Sequence, residues 1–225
     1  MVRLPSTPFF ETDILHGYAE YRFLYNSERG VTMKNRYQMT VEDNIFFARR
    51  IIVDSIYQQA NLEGIAVTFA QTQDILNNLD KKIDLIFLEE IHELIARFDV
   101  SYQYLGKWRS NEVIISGTRW RPELPKPENI LNHISQIYEC ENVTERAIKM
   151  GLWIMRCQPF KDGNKRVGSF VINKILIENG VGIFNVPVKL DGTFKQMLVD
   201  YYESNDSDEL SEWIWKYCLD GINEV

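Results

Sequence analysis

Gln158-Pro159-Phe160-Lys161-Asp162-Gly163-Asn164-Lys165-Arg166 interrupts two long helical patterns. Before it, Thr144 to Cys157 is apolar on most sides (Ala147, Ile148, Met150, Leu152, Ile154, Met155), the signature of a helix at the centre of a domain. After it, a helix is expected from Asn164 to Asn179, stopping at Gly180. Pro159 ends the incoming helix, because the residue before a proline avoids the helical region. Asp162-Gly163-Asn164 is turn chemistry and supplies an N-cap for the outgoing helix. Lys165 and Arg166 then fall in the first turn, where cations face the positive end of the helix dipole. Lys161 adds a third positive charge. Such a breach of a local rule points to function. Free backbone N–H groups, a glycine and clustered cations together describe an anion site, with phosphate as the natural occupant. Asp162 beside it could hold Mg²⁺, which binds through one or two carboxylates plus substrate phosphates. The competing reading is an ordinary turn with solvated Lys and Arg.

Outward from this stretch the chain reads as helix almost throughout. Thr40 opens a capping box with Asp43, and Ile45, Phe46, Ala48, Ile52, Val53 and Ile56 recur at helical spacing. That helix is expected to run to about Leu62 and stop at Gly64. Further helices are expected over Thr68–Leu76, Asp84–Phe98, Glu128–Tyr138, Asp191–Glu203 and Asp208–Leu219. Asn142 with Glu145 caps the central one. Residues 106–127 differ. Glu112 to Pro122 carries Val113, Ile114 and Ile115, then Ser116-Gly117, then further strand-like residues, and reads as a hairpin. A lone hairpin is marginal, so it must lie against helices as a flap. The fold class is therefore an all-α bundle with one β-hairpin flap.

Composition narrows the partners. The 225 residues are 45% hydrophobic and 25% charged, enough for one domain with a real core. A net charge of −7 argues against nucleic acid or an anionic membrane as partner. Cys140, Cys157 and Cys218 are too few and scattered for a disulfide framework. The reducing cytoplasm is the expected compartment. The start of the chain has no apolar run to serve as a secretory signal, and no stretch is long enough to span a bilayer.

Residues 158–166 resemble the motif of the Fic family, His-Pro-Phe-x-Asp/Glu-Gly-Asn-Gly/Lys-Arg, which lies between two central helices of an all-α domain. Pro159, Phe160, Asp162, Gly163, Asn164, Lys165 and Arg166 stand in register with it. Three further segments are similar: Glu112–Pro122 to the family's target-docking flap, Asn61-Leu62-Glu63-Gly64 to the end of its inhibitory helix, and Phe194–Trp213 to its closing helical pair. The resemblance implies a Fic-like domain over 40–225, with an inhibitory-type helix about 40–64, a flap about 112–122 and the motif over 158–169. Residues 1–39 would be an N-terminal helical extension. It implies AMP transfer from ATP to a protein hydroxyl, with ATP as substrate or ligand and Mg²⁺ on Asp162. Gly163, Asn164, Lys165 and Arg166 would hold the nucleotide phosphates. A protein target or partner would dock along Val113, Ile114 and Ile115. Phe194 and Tyr201 stand in the region of the adenine pocket.

Three departures alter that expectation. Gln158 stands where the family has the histidine that takes the proton from the attacking hydroxyl. A carboxamide is no such base, and losing one costs on the order of 10²- to 10⁴-fold. Of the histidines present, His16, His92 and His133, none is near the motif in sequence; His92 and His133 sit in helical patterns and read as structural. Ser169 replaces the motif's second arginine; with Lys165, this brings the motif closer to the Doc branch, which transfers a phosphate. Gln59 replaces the Ser/Thr of the inhibitory pattern, and Glu63 has lost its expected arginine; the plainer reading is a surface glutamate before a helix stop. The combined expectation is a nucleotide-binding Fic relative with impaired transfer. The alternatives are a non-catalytic nucleotide-sensing or protein-interaction module, and Doc-like phosphoryl transfer.

Overall fold

A computed structural model describes residues 33–62 (side chains as far as Ile51), 77 and 81–225. His16, the expected helix over 68–76, Glu63 and Gly64 lie outside the described residues, as does most of the expected N-terminal extension. Seven α-helices are present among them: α1 Val41–Leu62, α2 Leu85–Ala96, α3 Pro127–Tyr138, α4 Val143–Cys157, α5 Asn164–Glu178, α6 Asp191–Ser204 and α7 Asp208–Tyr217. Two short strands, β1 Ile183–Phe184 and β2 Leu219–Asp220, pair antiparallel beside α7.

The caps expected at Thr40 and Asn142 form, whereas the Asp162-Gly163-Asn164 turn gives α5 no side-chain cap, because its N-cap is Gly163 and the Asn164 side chain turns back to Phe160. The Thr40 hydroxyl accepts from Asp43 N–H at 3.1 Å and donates to the Asp43 carboxylate at 2.8 Å. The Asn142 side chain accepts from Glu145 N–H at 2.9 Å, and Asp84 accepts from Phe87 N–H at 2.9 Å. At the far end of α5, Gly180 takes φ +67°. Val181 N–H then reaches Leu176 C=O at 3.0 Å and Gly180 N–H reaches Ile177 C=O at 3.1 Å, the paired bonds of a glycine-terminated helix. The helix expected over Asp84–Phe98 is shorter. It turns off at Ala96, whose carbonyl accepts from both Asp99 N–H (3.2 Å) and Val100 N–H (2.9 Å).

α4 and α5 form the centre. Their backbones touch where Gly151 meets Gly168: a Cβ on either glycine would lie 2.6 Å from the other's carbonyl oxygen. α1 and α2 pack on α5, α3 and α7 pack on α4, and α6 completes the layer against α7. Ile148, Met150, Leu152, Ile154, Met155, Val171, Ile172 and Leu176 are sealed inside. Among the described residues no helix is long and apolar enough to cross a membrane.

The flap reverses at Ser116-Gly117, with Gly117 at φ +81°, but its two arms do not form a strand ladder. Side chains do that work. Arg109, only 6% exposed, donates from Nη1 to Asn111 C=O at 3.0 Å and from Nη2 to Pro122 C=O at 3.0 Å and Glu123 C=O. It closes the base of the loop through carbonyls that a hairpin would have paired. At the tip, the Glu203 carboxylate on α6 accepts from the Thr118 hydroxyl and from Arg119 N–H, both at 2.5 Å. Midway, the Arg156 guanidinium of α4 lies 3.7 Å from the centre of the Trp120 ring, and Trp120 Nε1 donates to Arg156 C=O at 3.3 Å. The flap is docked against helices, as expected, by contacts the strand pattern did not indicate.

Candidate functional site

α4 ends at Cys157 and the chain turns at Gln158, which takes the left-handed conformation, φ 48° and ψ 60°. For a residue with a Cβ this costs roughly 1–2 kcal/mol. Neighbouring bonds hold it there. Gln158 N–H reaches Ile154 C=O at 3.2 Å, Nε2 donates to Met155 C=O at 2.5 Å, and its carbonyl accepts from Arg109 Nε at 2.6 Å. Arg109 N–H adds a bond to Pro159 C=O at 3.0 Å, so the flap base and the motif loop share one anchor.

The loop closes on itself through Asn164, which is buried. Its Oδ1 accepts from Phe160 N–H, and its Nδ2 donates to Phe160 C=O and Gln158 Oε1, each at 2.9 Å. Phe160 is fully buried, stacked on His92 at 4.0 Å and on Trp108 at 4.9 Å between ring centres. His92 supports the loop from beneath: Gly106 N–H donates to Nδ1 at 3.0 Å, leaving Nε2–H to donate to Asp162 C=O at 3.1 Å. Burial pushes its pKa below the ordinary histidine value, against the pull of the Asp162 carbonyl bond. Gly163 has φ +78°, and an added Cβ would meet Ala96 Cβ at 3.3 Å and the His92 ring at 3.4 Å. Only glycine suits that position.

The features expected to take an anion are at the start of α5. The first intrahelical bond runs from Val167 N–H to Gly163 C=O at 3.1 Å, which leaves the N–H groups of Asn164, Lys165 and Arg166 for another partner. Lys165 is exposed. Arg166 is engaged: Nη1 donates to Asp99 Oδ1 at 2.7 Å and to Ile95 C=O at 3.1 Å, while Nη2 meets the other Asp99 oxygen. Lys161 holds its ammonium 3.7 Å over the Tyr104 ring. Asp162 is exposed, with Oδ1 accepting from Gly163 N–H at 2.6 Å. Among the described residues no three His, Cys, Asp or Glu side chains cluster to hold a metal. A lone surface carboxylate beside free N–H groups fits an ion that arrives with phosphates, not a resident one.

The groups around Gln158 are poor bases. The Tyr202 hydroxyl meets the Gln158 side chain, and burial raises its pKa strongly. Burial also pushes the Cys157 thiol and the Tyr201 phenol up to about 12. All three stay neutral at pH 7. His92 is buried with both ring nitrogens engaged. His133 stacks on Trp153 at 5.3 Å, on the α3 side of α4.

Other expected site residues divide. Ile114 is 81% exposed on the flap, with Val113 and Ile115 half-buried beside it and Ile115 packed on the core. Phe194 and Tyr201 do not offer their rings to an adenine: both are buried, Phe194 between Phe184 and Trp213, Tyr201 beside Tyr202. The apolar spacing of α6 that buries them is the same pattern that drew attention to them. Arg109, Asp99 and Arg156 were not legible as site residues, since each lies in a segment whose partners are distant in sequence. A shallow hollow of about 610 Å³ lies at the flap tip, lined by Gly117, Thr118, Arg119 and Glu203.

Residues 82–176 match the model of the Fic/DOC family. Over that stretch the chain is similar to the Fic/DOC family. The match runs from the start of α2 through the flap and motif to the end of α5. Among solved structures, Fic-1 (residues 134–508) from C. elegans is similar at 17% identity and TM-score 0.56, covering 92% of this chain and 68% of that one. This likeness shows that the Fic fold extends beyond the matched residues. A Fic family protein from Desulfovibrio desulfuricans G20 is similar at 16% identity and TM-score 0.48, over 96% and 73% of the two chains. BepC from Bartonella tribocorum, solved with bound AMPPNP, is similar at 13% identity and TM-score 0.46, over 72% and 86%. No curated protein matches the chain.

Proposed function

We propose that this Fic domain binds a nucleotide by its phosphates at the start of α5, receives a protein segment on its flap, and is impaired in transferring AMP. The observation that carries the reading is Gln158. It stands at the position of the family's base, both ends of its carboxamide are bound within the loop, and its titratable neighbours are held neutral by burial. In the intact remainder, the N–H groups of Asn164 to Arg166, with Lys165, would take phosphate oxygens. Asp162 would hold Mg²⁺, whose contribution is to neutralise phosphate charge. The flap supports a peptide-docking role. Its arm through Val113–Ile115 alternates in exposure and, among the described residues, pairs with no strand, which suits addition of a strand from another chain.

The test is calorimetry with ATP, ADP and GTP in Mg²⁺, using Lys165→Glu as the control because Lys165 is exposed. Asn164 is unsuitable, since its side chain closes the loop. Binding that weakens at least about tenfold in the control is expected for a reversed charge at a phosphate contact. No binding of any nucleotide would overturn the reading. In parallel, ATP labelled at the α- or γ-phosphate is incubated with lysate. The wild-type chain is expected to transfer neither label and Gln158→His to transfer the α-label. Transfer of the α-label by wild type would remove the impairment, and transfer of the γ-label would favour the Doc-like alternative, for which Lys165 and Ser169 speak.

A further inference from the structure

We propose that Asp99 is a resident counter-anion that regulates the phosphate site by occupying Arg166. The inference rests on the nucleotide-binding reading above and adds a competitor to it. The Arg166 guanidinium presents its fork to Asp99, with Nη1 on one carboxylate oxygen at 2.7 Å and Nη2 on the other. A phosphate would use the same bidentate geometry. Both side chains are about a quarter exposed, so water and salt screen the pair less than they would a surface pair. Asp99 lies past the last residue of α2, so releasing its carboxylate breaks no intrahelical bond.

The arrangement of the other cations makes this pair decisive. Lys161 is drawn over Tyr104, and among the described residues Lys165 alone of the three motif cations has no bonded partner. A nucleotide arriving at the start of α5 therefore meets one free cation and gains a second only by displacing Asp99. Affinity then depends on how firmly α2's closing turn holds Arg166. A movement of that turn, for instance on docking of a protein at the neighbouring exposed Phe98 and Tyr102, would change nucleotide affinity without touching the nucleotide.

A simple strut between α2 and α5 predicts the opposite sign. Removing a strut loosens the helix start and weakens binding, whereas removing a competitor strengthens it. The experiment titrates the full chain and Asp99→Asn with Mg-ATP, and with inorganic tripolyphosphate, at fixed salt. The Asn variant is expected to bind both probes about three- to tenfold tighter, the range of a partly buried ion pair. Arg166→Gln in the Asp99→Asn background is expected to cancel the gain, since the effect runs through that arginine. Equal or weaker binding by Asp99→Asn overturns the inference, as does a gain that persists without Arg166. Binding by neither chain overturns the nucleotide reading and this one with it. Binding only by the Asn variant supports both. If Asp99→Asn does not fold, Asp99→Ser takes its place. Failure of both to fold marks the pair as a strut and overturns the proposal.

Discussion

His92 shows how much one buried residue decides. It sits within an ordinary apolar pattern in α2, yet its two ring nitrogens tie Gly106 and Asp162 and its face stacks on Phe160. Its lowered pKa has a consequence for stability. The unfolded chain gains a proton near pH 6.5 while the folded chain remains neutral, so protons favour unfolding. Stability from this residue is complete above the unfolded value and is lost as pH falls below it. The thermal midpoint is expected to drop as pH falls below about 6.5. In His92→Gln that part of the slope should vanish, and an unchanged slope would show that His92 is not the group responsible. The helical pattern indicated a structural role for His92, but its place beneath the motif loop is a tertiary fact.

At the scale of elements, the α4–α5 pair was legible in advance and the flap only in part. Apolar positions around nearly the whole of α4 required burial on all sides, and the cap residues marked both ends. What periodicity does not reveal is that Gly151 and Gly168 face each other. Neither marks a turn, and within a helix each looks like a small defect. Their value is the close approach of two backbones. Gly151→Ala would place a methyl 2.3 Å from Ile172 Cγ1 and 2.6 Å from Gly168 C=O. The gain in helix propensity, about 1 kcal/mol, does not offset overpacking of that severity. The variant is expected to lose about 1–3 kcal/mol in urea unfolding. A neutral or stabilised variant would show that the helices separate easily. The flap differs from the expected hairpin because its polar groups find other partners. A buried arginine and Glu203 take up carbonyls and N–H groups that a ladder would have used. Both sit outside the strand-like stretch, one before it and one on α6.

Across the whole molecule, the segment before α1 fastens the end of the chain. Gln38 N–H reaches Asn223 C=O at 3.2 Å and Val225 N–H reaches Arg36 C=O at 3.0 Å, an extended pairing of residues nearly two hundred apart. Arg36 also donates to Trp215 C=O at 3.1 Å and Lys216 C=O at 2.7 Å, and its Nε meets the Glu224 carboxylate at 2.8 Å. The two carbonyls belong to the last turn of α7, where a cation is favourable. Arg36→Ala is expected to lower stability by about 1–2 kcal/mol, read in urea unfolding. Hydrogen exchange should rise at 33–39 and 219–225 together. Exchange confined to one segment would mean that they do not act as a unit.

The sequence alone determined the helical class, most of the helix ends, and the place of the motif loop, with Gln158 where the resembled family has its histidine. All of these are local: periodicity, capping and turn residues act within a few positions, and a motif is read from neighbours. Only the tertiary structure decided how the loop is held and which cations remain available. Arg109, His92 and Asp99 reach the motif from 49, 70 and 67 residues away in the chain, to Gln158, Asp162 and Arg166 respectively. A buried donor or charge takes whichever partner folding brings within about 3 Å, and no pattern of nearby residues encodes that choice.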